Sequence, residues 1–239
     1  MGETGDDAVQ HVRDAVITGL RGGGTGLAAI ESVCRACVDL LPVDGASVSV
    51  MTGVASRESL YASDLTASRI EALQFSLGEG PCFQAFDTQR PVFTPDVRAT
   101  GAAAWPVFAA EIVTEPVGAV FAFPLVSGAI SIGALDMYRR APGWLSRDQV
   151  AVALRVVDIA TLVLLGLRLG EVQGAWTDLP LSHAQVHQAT GMLIAEFAIP
   201  AEQALARLRG YAFAIGRLVD DVADDLVSRR LAPVALGPP

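Results

Sequence analysis

The sequence predicts an α+β fold, an antiparallel sheet flanked by helices, followed by an all-α bundle of three short helices. Three observations carry this expectation. Two pairs of strand-like segments, 46–51 with 56–62 and 118–125 with 130–138, are each separated by a few residues, as in hairpins. A long apolar helical pattern begins at Ser146 and runs at least to Leu169. Beyond it, 181–232 carries three helical stripes with almost nothing between them.

Composition sets the outer bounds. The chain has 239 residues, 51% of them hydrophobic and 18% charged, enough for two domains with real cores. The mean hydropathy of +0.43 fits a globular chain. All 17 basic residues are Arg, and the net charge of −9 argues against non-specific adhesion to nucleic acid. The N-terminus, MGETGDDAVQHVRD, is acidic and lacks the apolar stretch of a secretory signal. The most apolar run, Val150 to Leu167, is interrupted by Arg155 and Asp158, so no membrane span is expected and a cytoplasmic location is.

Along the chain, residues 6–20 suit a helix with Val9, Val12, Val16 and Leu20 on one side. A second helix runs from Leu27 to Leu41 and stops at Pro42. After the first strand pair a short helix, 67–75, leads into the turn Gly78-Glu79-Gly80-Pro81-Cys82, which can open a helix with Pro81 at its first position. Residues 91–94 read as a strand, 96–105 as a loop and 106–113 as a helix. The central strands join through 126–129, and Ser146 with Gln149 has the capping-box spacing. The domain division is then 6–170, including the connecting helix 146–170, a linker at 171–180, the bundle at 181–232, and a frayed tail at 233–239.

In the bundle, Val186, Ala189, Leu193 and Phe197 share one helical face. Pro200 can only start the second helix, whose stripe is Ala204, Leu205, Leu208, Ala212 and Ile215, closed by Gly216. The third turns Val219, Val222, Ala223, Leu226 and Val227 inward and four aspartates, 220, 221, 224 and 225, outward. So small a bundle has a thin core and needs a partner surface.

Cys34 and Cys37 form a C-x-x-C spacing but fall inside an apolar helical pattern, and no second such pair exists to complete a zinc site. No metal and no cofactor are expected. Cys82, next to a helix N-terminus, is expected to have a lowered thiol pKa. It could pack, sense oxidants, or serve a thiol redox enzyme, for which Cys34 and Cys37 are the available second cysteines. No Ser/His/Asp set, phosphate loop or paired-carboxylate motif stands out, so the chain reads as a non-enzyme.

The segments GEGPCFQAF at 78–86, RPVFTPD at 90–96 and FAFPL…GALDMYR across 121–139 resemble a GAF domain, a small-molecule sensor fold. The bundle resembles the ANTAR family of RNA-binding antitermination modules through Ala189-Thr190-Gly191-Met192, ALARLRGY at 204–211 and VADDL at 222–226. Together they resemble the GAF–ANTAR proteins of actinobacteria over nearly the whole chain. The resemblance implies a signal-responsive regulator that binds stem-loops in nascent transcripts. Thr190 departs from the Lys that many ANTAR members carry there, and Pro200 stands where Ser or Asp often caps the second helix.

Two candidate sites follow. A ligand cavity between the central strands and the short helices would be lined by Phe75, Cys82, Phe83, Phe93, Trp105, Phe108, Phe121 and Phe123, or the same aromatics fill an ordinary core. RNA contact would use Gln188, Thr190, Gly191, Arg207, Arg209, Tyr211 and Arg217, with arginines supplying charge and Tyr211 a stacking surface. Five arginines against seven acids leave this segment at −2 from Asp178 onward, so the interface must be local. Gly191, in mid-helix, reflects either close packing of a second helix or RNA contact. Arg229 and Arg230 could simply complement the dipole of the last helix. The alternative to RNA binding is a protein-interaction or dimerisation module. A homodimer is expected in any case, because the helix from Ser146 to Leu169 is apolar on more than one face.

Overall fold

The computed structural model describes residues 7, 9–10, 12–14, 16–17, 26–53, 56–169 and 182–237. The described residues between 7 and 17 are helical, and Val9 and Val16 are buried. From there the order is α1 (Gly26–Leu40), β1 (Gly45–Gly53), β2 (Ser56–Ala62), α2 (Leu65–Leu77), α3 (Pro81–Thr88), β3 (Val92–Thr94), α4 (Val97–Ala104), α5 (Pro106–Ile112), β4 (Ala119–Ser127), β5 (Ile130–Arg139) and α6 (Arg147–Arg168). Three further helices follow: α7 (Ala184–Phe197), α8 (Ala201–Ala214) and α9 (Val219–Val227). The predicted linker, 171–180, lies outside the described residues.

The sheet has five strands in the order β2-β1-β5-β4-β3, each neighbour antiparallel to the next. Strand alternation sends successive side chains to opposite faces. Val48, Val50, Phe121, Phe123, Leu125, Leu135 and Met137 pack under α1 and α6. Val120 and Tyr138 point the other way, to α2 and α5, while Met51 and Ala134 meet Cys82 and Phe83 of α3.

The long helix α6 starts as expected: Ser146 and Gln149 form a reciprocal capping box. It is long and apolar enough to cross a membrane, but half of its apolar window is buried within the protein. Val156, Ala160, Val163, Leu164 and Leu167 pack on the sheet and α1, which is the place of a core helix. Leu154, Leu162 and Leu169 remain exposed on its outer side.

Two expectations are corrected. Residues 96–105 do not form a loop: Asp96 caps α4 by accepting from the backbone N–H groups of Arg98 and Ala99. The chain end is not frayed as far as 237. Pro233–Leu236 forms a 3-10 turn, and Leu236, 4% exposed, completes the core of the helical module. That core otherwise consists of Val186, Ala189, Leu193, Ala204, Leu205, Leu208, Ala212, Val219, Val222, Ala223 and Leu226, together with Phe75 from α2. The thin bundle thus finds its partner surface within the chain.

The packing makes a simple contrast. Phe123→Ala, at a fully buried ring, is expected to cost about 3–5 kcal/mol. Leu65→Ala, at a side chain 89% exposed, is expected to stay within about 0.5 kcal/mol of the parent. Urea unfolding of the two variants checks both values.

Candidate functional site

Helix α2 organises everything on the upper face of the sheet. Asp64 caps its start by accepting from the Ala67 N–H, and Gly78 closes it in the left-handed region at φ 68°. Polar residues interrupt its apolar periodicity where it faces the sheet. Glu71 and Gln74 are buried there, 4% and 0% exposed, beside Ser47, Ser49, Arg57 and Asp136 of the strands.

These groups form one connected network. The Arg57 guanidinium pairs with Glu71 through Nη2, donates to the Glu71 carbonyl from Nη1 at 3.2 Å and lies near Ser49 Oγ. Ser47 Oγ donates to Glu71 Oε1 at 2.7 Å. Gln74 Nε2 donates to Asp136 Oδ2 at 2.7 Å, and its Oε1 accepts from the Cys82 N–H at 2.9 Å. Arg57 also lies over the Phe83 ring, 5.3 Å from its centre. Only Asp136 Oδ1 is buried without a partner among these side-chain atoms.

Burial and the neighbouring Glu71 push the Asp136 carboxyl up to about 8, more than Arg57 and Gln74 can offset. Burial alone would lower the Arg57 pKa, but Cys82, Glu71 and Asp136 together raise it. The Cys82 thiol is pushed well above its ordinary value by burial, which overrides the charge of Arg57. The expected lowering of that pKa is therefore reversed: the helix start is there, but the sulfur sits in the protein interior. Cys34 and Cys37 are also fully buried with raised pKa values, on the α1 side of the sheet, away from Cys82.

The other flank of α2 meets the helical module. The Phe75 ring stacks on His183 with ring centres 3.5 Å apart. Ser76 Oγ accepts from the Val219 N–H at 3.1 Å. At the edge strand β2, Glu58 accepts from Ser182 Oγ, the His183 N–H and His187 Nε2, the last at 2.6 Å. Ser182 Oγ in turn accepts from the Ser59 N–H, covering a donor that an edge strand otherwise leaves open. His183 Nδ1 contacts Asp220 Oδ1 at 2.7 Å. A groove of about 710 Å³ runs along this seam, lined by Tyr61, Asp64, Ser68, Glu71, His183 and Asp220 among others.

The predicted pocket residues do not converge. Phe121, Phe123 and Phe93 lie on the opposite face of the sheet, because odd positions of β4 point to α1 and α6. Trp105 and Phe108 join the α2–α5 core, Cys82 and Phe83 the small cluster with Met51, and Phe75 the seam. Of the candidate RNA contacts, Gln188 and Gly191 are exposed on α7, and the Thr190 hydroxyl is turned back to the Val186 carbonyl. Tyr211 is half-buried against the module core. Arg207 lies over the Phe197 ring at 4.9 Å, and Arg217 pairs with Asp225 at 2.6 Å. Arg230 pairs with Asp224 and Asp225 on the last helix. Arg209 faces the N-terminal domain instead, over Phe75 and beside Gly78. Sequence reasoning missed Arg57, Glu58, Glu71, Gln74, Asp136 and His183. The broken apolar stripe of α2 was the one available signal for the buried set.

The model of the GAF domain family matches residues 28–164. No curated protein matches the chain. Among solved structures, the GAF domain of a phosphoenolpyruvate-protein phosphotransferase from Coxiella burnetii is 13% identical with a TM-score of 0.53, over 68% of this chain and 96% of that one. The corresponding Acinetobacter domain is 12% identical with a TM-score of 0.54, over 69% and 95%. The chromophore-binding domain of a bacteriophytochrome from R. palustris is 10% identical with a TM-score of 0.51, over 70% and 62%. Identities this low establish a shared fold and nothing more.

The seam carries a pH dependence. The hydrogen bond to Glu58 is the largest cause raising His187 above 6.5. Burial would raise Glu58, but the bonds from His187, Ser182 and His183 outweigh it and hold Glu58 below 4.5. A raised histidine stabilises docking fully below its free value and loses that contribution as pH rises through its docked value. A lowered carboxylate contributes above its free value and loses it on acidification. The pair is therefore strongest between 4.5 and 6.5. Histidine NMR titration is expected to place His187 above 6.5 in the parent and nearer that value in Glu58→Gln.

Proposed function

The chain belongs to the GAF family, and on that premise we propose that it is a signal-responsive, RNA-binding transcription antitermination regulator. The GAF domain senses a small molecule or another local signal through the polar network on α2. The C-terminal helices, which resemble an ANTAR module, bind stem-loops in a nascent transcript. The protein acts in the cytoplasm, as a homodimer, and catalyses no reaction.

The observation that carries the RNA reading is Gly191. A methyl added there would meet nothing within 4 Å among the described residues, so no helix of the described chain packs closely on this glycine. Mid-helix glycine costs about 1 kcal/mol relative to alanine. No packing among the described residues offsets that cost, which fits an outside partner whose backbone approaches α7 closely. Gln188 is exposed on the same helix.

One observation favours the second reading, a protein-interaction module without RNA binding. In the docked arrangement the arginines are engaged within the chain: Arg207 and Arg209 on aromatic rings, Arg217 on Asp225. The thiol redox enzyme has less support, since Cys82 is buried with a raised pKa and the sheet separates it from Cys34 and Cys37. The dimer reading draws on α6, where Leu154, Leu162 and Leu169 recur at steps that keep them on one outer stripe.

Gly191→Ala separates the two readings. It is expected to raise the unfolding free energy by about 1 kcal/mol, because the helix gains propensity and meets open space. In gel-shift titration against a two-stem-loop RNA, the same variant is expected to bind more weakly, with a steep loss of affinity as salt rises. No RNA binding by the parent, or unchanged binding by the stabilised variant, rejects the RNA reading.

A further inference from the structure

We propose that the C-terminal module is parked on the GAF domain in an autoinhibited arrangement, and that α2 releases it. The inference rests on the RNA-binding reading for what the freed surface meets. The parked arrangement itself stands on the geometry of the seam.

Arg209 is the reason. Its guanidinium lies over the Phe75 ring, 5.3 Å from the centre, and Nη1 enters a notch that exists because residue 78 has no side chain. A methyl on Gly78 would come within 2.9 Å of that nitrogen. Nε and Nη2 are buried with no hydrogen-bond partner, and no carboxylate pairs with the group among the described residues. Burial, and then the like charge of Arg57, lower the Arg209 pKa to about 10. Removing a guanidinium from water without a counter-charge is unfavourable. Docking therefore works against one of its own central contacts.

What holds the module down is a small set of opposing contacts. Glu58 takes three hydrogen bonds from the start of the module, His183 stacks on Phe75, and Ser76 accepts from the Val219 N–H. Glu58 and Ser59, whose N–H donates to Ser182 Oγ, lie on β2, and the other berths are on α2. The same helix contributes Glu71 and Gln74 to the buried network with Arg57, Asp136 and the Cys82 amide. A proton or ligand that rearranges the network must move α2, and α2 carries Phe75, Ser76 and Gly78 with it. Packed interfaces answer such small shifts by switching between arrangements rather than deforming. Release restores Arg209 to water and makes its guanidinium available to an anionic partner.

The test uses the full chain and two cross-seam amides, Ser59 and Val219, as reporters of release. In Glu58→Ala, hydrogen exchange at both amides is expected to rise several-fold while α6 amides stay protected. Affinity for the two-stem-loop RNA is expected to tighten by roughly ten-fold, within the usual range of coupling between sites. The unmutated chain offers a second route. Raising the pH from about 6 to about 9 discharges His187, which Glu58 of β2 and Asp220 of α9 face; the protection of both amides, taken relative to the α6 amides so that the base-catalysed rise in intrinsic exchange cancels, is expected to fall again. Unchanged protection of the two amides under both conditions overturns the parked arrangement. Faster exchange without tighter RNA binding overturns the autoinhibition. If neither chain binds RNA at all, the RNA reading fails by itself, and faster exchange still upholds the parked arrangement.

Discussion

Arg57 enters the interior from an edge strand with only 1% of its side chain exposed, and Glu71 meets it from α2. Neither charge could be buried alone, because the desolvation of an unpaired ion is far larger than one hydrogen bond returns. Each therefore fixes the position of the other, and with it the height of α2 over the sheet. Breaking such a buried pair from one side typically costs about 3–5 kcal/mol. The Gln74 bridge to Asp136 and Cys82, the start of α3, and the berths for the C-terminal helices all take their places from that contact.

The sheet was legible because its strands alternate and its turns are short. The sequence reading placed the 56–62 strand on the bounds that the fold shows, and the capping box at Ser146 located the long helix. Three apolar stripes of the C-terminal segment mapped onto three helices with a shared core, except Ile215, which falls just past the second helix and is exposed. These are local signals, repeated over several residues, so single exceptions do not hide them.

What stayed hidden was polar and long-range. In SRESLYA, an arginine and a glutamate on a strand look like a solvated face, and nothing nearby says that Arg57 turns inward to meet a helix fourteen residues on. Glu71 and Gln74 only weaken the apolar stripe of α2. The aromatic list failed for a different reason: composition identified pocket-like side chains, but strand parity decides which face each one takes, and Phe121 and Phe123 share the face of Leu125. Arg209 looked like surface charge because burial of a lone guanidinium is rare. The docking that buries it joins segments more than a hundred residues apart.

Gly78 does two jobs with one missing side chain. It adopts the left-handed conformation that ends α2, and it leaves the notch that Arg209 fills. Those demands have different tolerances. Asparagine can satisfy the first, since it visits left-handed backbone more readily than most residues, but any side chain at 78 obliges the tip of Arg209 to shift from its place. Among kindred sequences the two positions should therefore drift together: a residue with a side chain at 78 should travel with a shorter one at 209. Such paired drift would trace the history of the contact between the two halves of the chain, independently of what either half binds.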